Sequence, residues 1–123
     1  MESLAKPLRI LVVDDEPLIR WSITETLGAA GHQVTEASSA ATAVQAVTAL
    51  PDLDLVLLDF RLPDSNDLGL LKKIRTLAPA AAVIMMTAFG TPDMTAGAIE
   101  LGAARVLSKP FNMGELERVV RSL

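Results

Sequence analysis

Two textures alternate along the chain. Short runs of β-branched and aliphatic residues occupy positions 8–13, 33–36, 53–58, 82–86 and 105–107. Between them the apolar positions recur at helical spacing. Ile19, Ile23 and Leu27 are four apart, and Ala40, Val44 and Val47 are four and three apart. Leu70, Leu71, Ile74 and Leu77 form a third stripe, Met94, Ala98 and Leu101 a fourth, and Leu116, Val119 and Val120 a fifth. The breaks have their own chemistry. Gly28 and Gly31 are expected to end the first helix, Pro51 the second, Pro79 the third and Gly102 the fourth. Thr91-Pro92-Asp93 reads as an N-cap followed by proline in the first helical turn. Strands and helices in strict alternation predict an α/β fold: a parallel sheet covered on both faces, with right-handed crossovers. Continuously apolar strands agree with burial on both sides. No repeat, low-complexity tract or linker interrupts the pattern, so residues 1–123 are expected to form a single domain with no output domain in the chain.

Composition narrows the picture. Half of the residues are hydrophobic and only 3% are aromatic, so the core should be aliphatic. The chain has no cysteine, which excludes disulfides, thiolate metal sites and a cysteine nucleophile. No apolar run approaches the ~20 residues that span a bilayer. The N-terminal MESLAKPLRILVVDDE lacks a signal-peptide pattern. A cytoplasmic protein without membrane contact is expected. The net charge of −4, from 11 basic and 15 acidic residues, disfavours direct nucleic-acid binding. The single histidine, His32, lies in a turn and is expected to face solvent without a role.

Candidate chemistry begins where the first apolar run ends, at Val12-Val13-Asp14-Asp15-Glu16-Pro17. Two formal charges about 4 Å apart near a surface repel by roughly 4 kcal/mol at an effective dielectric of about 20. One acid suffices to cap the following helix, and Pro17 suits its first turn, so three acids leave both capping and a binding site open. In open α/β sheets, ligands bind beyond the carboxyl ends of the strands. Asp59 follows the third apolar run, Thr87 and Ala88 the fourth, and Lys109 and Pro110 the fifth. After the second run comes uncharged Ala37-Ser38-Ser39. Each residue alone also reads as an ordinary loop acid, capping hydroxyl or solvated lysine. Their joint placement at one end of successive strands points instead to a cleft where Asp14, Asp15 and Asp59 hold a hard cation, Mg²⁺, balanced by Lys109. No G-x-G-x-x-G or P-loop accompanies them, which disfavours a nucleotide-binding domain.

The segments ILVVDDEP, LVLLDFRLPDS, VIMMTAFG and LSKPF make residues 8–122 resemble a bacterial two-component response-regulator receiver domain. Within that family, VVDDEPLIRW and MTAFGTPDM are most similar to the nitrogen-regulation class, whose receivers are fused to ATPases that activate an alternative sigma factor. The resemblance implies a doubly wound (βα)5 flavodoxin-like three-layer sandwich with strand order 2-1-3-4-5. It implies a phosphoacceptor signalling domain rather than an enzyme. Asp59 is then the phosphoacceptor, Asp15 a direct Mg²⁺ ligand, Asp14 a ligand through water and the Arg61 backbone carbonyl a third protein ligand. Thr87 and the Ala88 amide bind phosphoryl oxygens, Lys109 pairs with the phosphate, and the Lys109–Pro110 bond is cis. The implied partners are a histidine kinase, a fused or separate output acting on transcription, and a second copy docked through the fourth helix, fifth strand and fifth helix.

Three departures bear on these expectations. Val106 stands three residues before the lysine, where receivers commonly carry an aromatic switch residue. Pro63-Asp64-Ser65-Asn66-Asp67 replaces the usual Pro-Gly-x-Asp-Gly. Both glycines become aspartate, a residue that tolerates left-handed backbone, and the loop is expected to add negative charge beside the site. The chain also stops near the end of the fifth helix. Two rival readings are a pseudo-receiver that only docks partners, suggested by Val106, and a Mg²⁺-dependent phosphohydrolase. Arg61, standing where the latter would carry a second aspartate, argues against it.

Overall fold

The computed structural model describes residues 7–65, 68–88 and 90–123. Expectations resting on Asn66, Asp67 and Phe89, or on the first six residues, fall outside them. Five strands and five helices alternate: β1 (Arg9–Val13), α1 (Pro17–Ala29), β2 (Gln33–Ala37), α2 (Ala40–Ala49), β3 (Leu55–Asp59), α3 (Gly69–Leu77), β4 (Ala82–Thr87), α4 (Pro92–Glu100), β5 (Arg105–Ser108) and α5 (Met113–Arg121). All strand pairs are parallel, in the order β2-β1-β3-β4-β5.

The pleat sorts the core into two layers. Leu11, Val13, Val56, Leu58, Val83 and Met85 face α2, α3 and α4, where Ala43, Val47, Leu71, Ile74 and Ala98 close over them. Their chain neighbours Ile10, Val12, Leu55, Leu57, Ile84 and Met86 face the opposite side and meet Ile23 and Leu27 of α1 and Leu116 and Val120 of α5. Alternate residues of a strand point to opposite faces, so a run that is apolar throughout supplies both layers. Full burial of one such side chain stabilises by about 1.5–3 kcal/mol.

Several boundaries move. β3 starts at Leu55 rather than 53, and β3 and β4 run on to Asp59 and Thr87 because the ladder continues, pairing Asp59 with Met86 and Thr87 with Ser108. Gly28 lies inside α1, and Gly31, at φ +98°, is the residue past its end. Thr91 caps α4 as expected, accepting from the Met94 N–H at 3.1 Å. The α4 stripe is thinner than the spacing suggested. Only Ala98 is buried, and Leu101 falls at the C-cap, 37% exposed, because α4 borders the edge strand β5 and has less sheet to cover. His32 is half-buried rather than solvent-facing, and its Nδ1 accepts the Leu8 N–H at 2.9 Å. Among the described residues no helix is long and apolar enough to cross a membrane.

Candidate functional site

The strand order places the carboxyl ends of β1, β3, β4 and β5 side by side. A cleft of about 240 Å³ opens there, lined by Asp15, Glu16, Asp59, Arg61, Thr87, Ala88 and Lys109. Backbone bonds extend the sheet into its floor: Asp14 N–H donates to Ala37 O at 3.1 Å, and Lys109 N–H donates to Thr87 O at 2.7 Å. Asp59 and Thr87 are the last residues of their strands and are buried, whereas Asp15 and Ala88 are exposed.

Capping does not account for the three acids. Glu16 occupies the N-cap of α1, with Pro17 next, yet its side chain makes no capping bond. Asp14 is fully buried. Its Oδ1 accepts the Glu16 N–H and its Oδ2 accepts from Lys109 Nζ, each at 2.9 Å. Arg20 pins the same turn, donating from Nη1 to the Asp14 carbonyl at 2.6 Å and from Nε to Glu36 at 2.9 Å. Lys109 also lies 3.2 Å from Asp59 Oδ2 and 3.7 Å from Glu16 Oε1. One ammonium thus serves several carboxylates from different parts of the chain. The Lys109–Pro110 peptide that presents it is cis.

The electrostatics follow from this crowding. Burial, and then the negative Asp14, push the Asp59 carboxyl up from 3.8 to about 6, with Lys109 and the Arg61 N–H pulling the other way. For Lys109, burial acts to lower the ammonium, but its hydrogen bond and attraction to Asp14 and its pairing with Asp59 outweigh burial and hold it above the usual lysine range. Asp14, Asp15 and Asp59 offer carboxylate oxygens all within 4.8 Å of one another. Hard oxygen donors, excess negative charge and open volume beside them fit a small divalent cation that keeps several waters. Asp14 is fully buried with both oxygens hydrogen-bonded, whereas Asp15 is exposed at the cleft.

Sequence reasoning gathered Asp14, Asp15, Asp59, Arg61, Thr87, Ala88 and Lys109 correctly as neighbours. Val106 and Asp64 lie apart from the cleft lining. Val106, expected as the switch position, is half-buried on β5 and packs against the core layer that α2, α3 and α4 cover, as Met94 of α4 also does. Asp64 adds no charge to the cleft lining, because its carboxylate turns away to the N-terminus of α2. Nor does it use left-handed backbone, since among the described residues only Gly31 and Gly102 have positive φ. Glu16 was missed as a lining residue, although the third acid of the opening run was its signal.

A family model described as the response regulator receiver domain matches residues 10–121. Sporulation initiation phosphotransferase F of Bacillus subtilis (strain 168) is 35% identical over 113 residues, which cover 92% of this chain and 90% of that protein. The DNA-binding transcriptional regulator NtrC of Azospirillum brasilense is 38% identical over 111 residues, covering 90% of this chain but 23% of the regulator, so this chain spans about a quarter of that relative. Relatives of the nitrogen-regulation class are thus present, as the segments VVDDEPLIRW and MTAFGTPDM suggested. Among solved structures, a CheY-like receiver domain protein from Methanospirillum hungatei JF-1 aligns with TM-score 0.89 at 28% identity, covering 95% of this chain and 93% of its own. A chain of the CheX–CheY–BeF3–Mg²⁺ complex from Borrelia burgdorferi aligns with TM-score 0.88 at 25% identity, covering 94% and 88%. The chain belongs to the response regulator receiver domain family.

Proposed function

We propose that this domain, in the cytoplasm, accepts a phosphoryl group on Asp59 from the phosphohistidine of a histidine kinase and signals its presence to an output that controls transcription. The observation that carries this reading is the convergence of Asp59, Thr87 and Lys109 with a carboxylate cluster in one cleft. A carboxylate oxygen of Asp59 attacks phosphorus, and the bond from phosphorus to the donor imidazole breaks with its electron pair passing to nitrogen. Lys109 offsets the charge of the approaching phosphoryl group, while the Thr87 hydroxyl and the Ala88 N–H receive its oxygens. Asp15, Asp59 and the Arg61 carbonyl, with Asp14 assisting, would hold Mg²⁺, which would supply charge neutralisation when bound. The Borrelia relative, solved with beryllofluoride and Mg²⁺, supports the assignment.

A largely apolar groove of about 510 Å³ shares Glu16, Ala88 and Lys109 with the cleft and is lined further by Leu18, Ile19, Pro110, Phe111 and Met113. Leu18 is 74% exposed, and Trp21 lies 58% exposed on the same helix. A donor histidine must be seated beside Asp59, so this groove is where the kinase docks. Acetyl phosphate with Mg²⁺ should add one phosphoryl group by intact mass to wild type and none to Asp59→Asn. Absence of label on wild type, or equal label on both, refutes the reading. Leu18→Glu should slow transfer from the kinase while leaving acetyl phosphate labelling intact.

A further inference from the structure

The first N–H groups of α2 are all met by side chains, from two different sources. Ser39 and Thr42 form a reciprocal capping box, with the Ser39 N–H donating to Thr42 Oγ1 and the Thr42 N–H to Ser39 Oγ, each at 3.1 Å. The two donors between them are Ala40 and Ala41. They donate to Asp64 Oδ1 at 2.7 Å and Asp64 Oδ2 at 3.1 Å, across 24 and 23 residues of sequence. These two bonds hold the Asp64 carboxyl below the usual aspartate range, consistent with an anion at a helix N-terminus.

Asp64 lies in the loop that leaves Asp59. Leu62 and Ser65 exchange backbone hydrogen bonds of 2.8 and 3.2 Å, with Pro63 and Asp64 at the corners of the turn. Leu62 is buried in the core layer under α2 and α3. Arg61 therefore sits between two fixed points, the end of β3 and the anchored turn; its side chain is exposed and its N–H donates to Asp59 Oδ1 at 3.4 Å. Burial of Leu62 holds the turn from below, and the tie from Asp64 to α2 fastens it from the far side.

We propose that Asp64 is a positioning residue for the cation-binding side of the cleft: by bonding the Ala40 and Ala41 N–H groups it fastens the 62–65 turn to α2 and thereby holds the Arg61 backbone at the cleft rim. The proposal rests on the Mg²⁺ reading given above and assigns the loop's aspartate a mechanical task in it.

The test uses the full chain as wild type, Asp64→Ala and Ser39→Ala. Amide exchange at Ala40 and Ala41 and Mg²⁺ affinity by titration are the two readouts. Asp64→Ala should speed exchange at both alanines by about fivefold and weaken Mg²⁺ by about tenfold, as loss of a group that orients a metal ligand does. Ser39→Ala should loosen the same helix end yet leave Mg²⁺ affinity within about twofold, because the turn stays tied. Added salt should leave the ratio between Asp64→Ala and wild type unchanged, whereas an effect of bare charge would shrink with screening. The proposal fails if Asp64→Ala speeds exchange but binds Mg²⁺ normally, if Ser39→Ala weakens Mg²⁺ equally, if salt removes the difference, or if exchange at the two alanines does not change. Wild type that takes up no Mg²⁺ sinks the cation reading and this proposal together. The exchange data keep those failures apart, since they report the Asp64 tie without any metal.

Discussion

At the scale of single residues, the cleft trades stability for reactivity, and Asp59 shows the exchange most directly. Its carboxyl is pushed up to about 6 by burial and by Asp14. The folded chain therefore takes up this proton as pH falls through about 6, and the unfolded chain only near its ordinary 3.8. Stability from this group is full below the lower value and lost as pH rises through the upper one. Its whole extent is about 3 kcal/mol, at about 1.4 kcal/mol per pKa unit. Asp59→Asn carries no such charge. In chelator, the stability advantage of Asp59→Asn over wild type should be larger at about pH 8 than at about pH 5, by about 1–1.5 kcal/mol in urea denaturation. A pH-independent advantage would mean that Asp59 is not strained by its surroundings. Mg²⁺ should stabilise wild type by about 2.7 kcal/mol at a hundred times its Kd. Asp15→Ala should lose most of that gain, read as the shift in Tm with and without the ion. Asp14, Asp59 and Thr87 were legible because each follows an apolar run directly, so strand and function share one boundary. The carboxylate of Asp64 was not legible, because its partners lie 24 and 23 residues earlier in the chain and no local pattern announces a cap supplied from such a distance.

At the scale of elements, two glycines that the sequence offered as helix ends separate local propensity from geometry. Gly28 lies within α1, has an ordinary backbone and would place a Cβ in open space. Gly28→Ala should stabilise the domain by about 0.5–1 kcal/mol. Gly102 has φ +104°, and a Cβ there would stand 2.8 Å from Arg75 Nε. Arg75 cannot easily withdraw, since its Nη1 donates to Pro79 O at 3.2 Å and to Ala81 O at 2.6 Å. Gly102→Ala should destabilise by about 1–3 kcal/mol. Urea midpoints of the two variants should move in opposite directions; the same sign for both would show that the helix ends are not built as described. The order and type of all ten elements were readable, because apolar periodicity reports which surface each segment buries. The depth of burial was not. Leu77 and Leu101 match the spacing of their stripes but are 44% and 37% exposed, since a stripe cannot reveal how much sheet remains for its last turn to cover.

At the scale of the whole molecule, the domain is unevenly fastened. α1 buries Ile23 and Leu27, α3 buries Leu70, Leu71 and Ile74, and α5 buries Leu116 and Val120, but α4 buries only Ala98 and leaves Ile99 48% exposed. The element that follows the Thr87–Ala88 end of the cleft is thus the one with least apolar burial to restrain it. With Val106 in place of an aromatic side chain, any coupling from Thr87 to α4 is expected to be weak or to run through the loop and helix themselves. Gly90 is well placed for this, because a Cβ there would meet the Thr87 Cγ2 at 3.1 Å. A shift of Thr87 toward a phosphoryl group should therefore displace the start of α4 and bring the exposed Ile99 and Leu101 into an apolar contact with a second copy, an expected outcome that exchange and sedimentation check. Two consequences follow. Amides of α4 should exchange faster than those of α1 and α3 in the free domain, and beryllofluoride with Mg²⁺ should change α4 more than any other helix. Under the same conditions sedimentation should show a dimer that Ile99→Lys abolishes while beryllofluoride still binds. A wild-type monomer with and without beryllofluoride would remove the fourth helix, fifth strand and fifth helix as a dimer face, and an unchanged α4 exchange pattern would show that the signal leaves the cleft by another route.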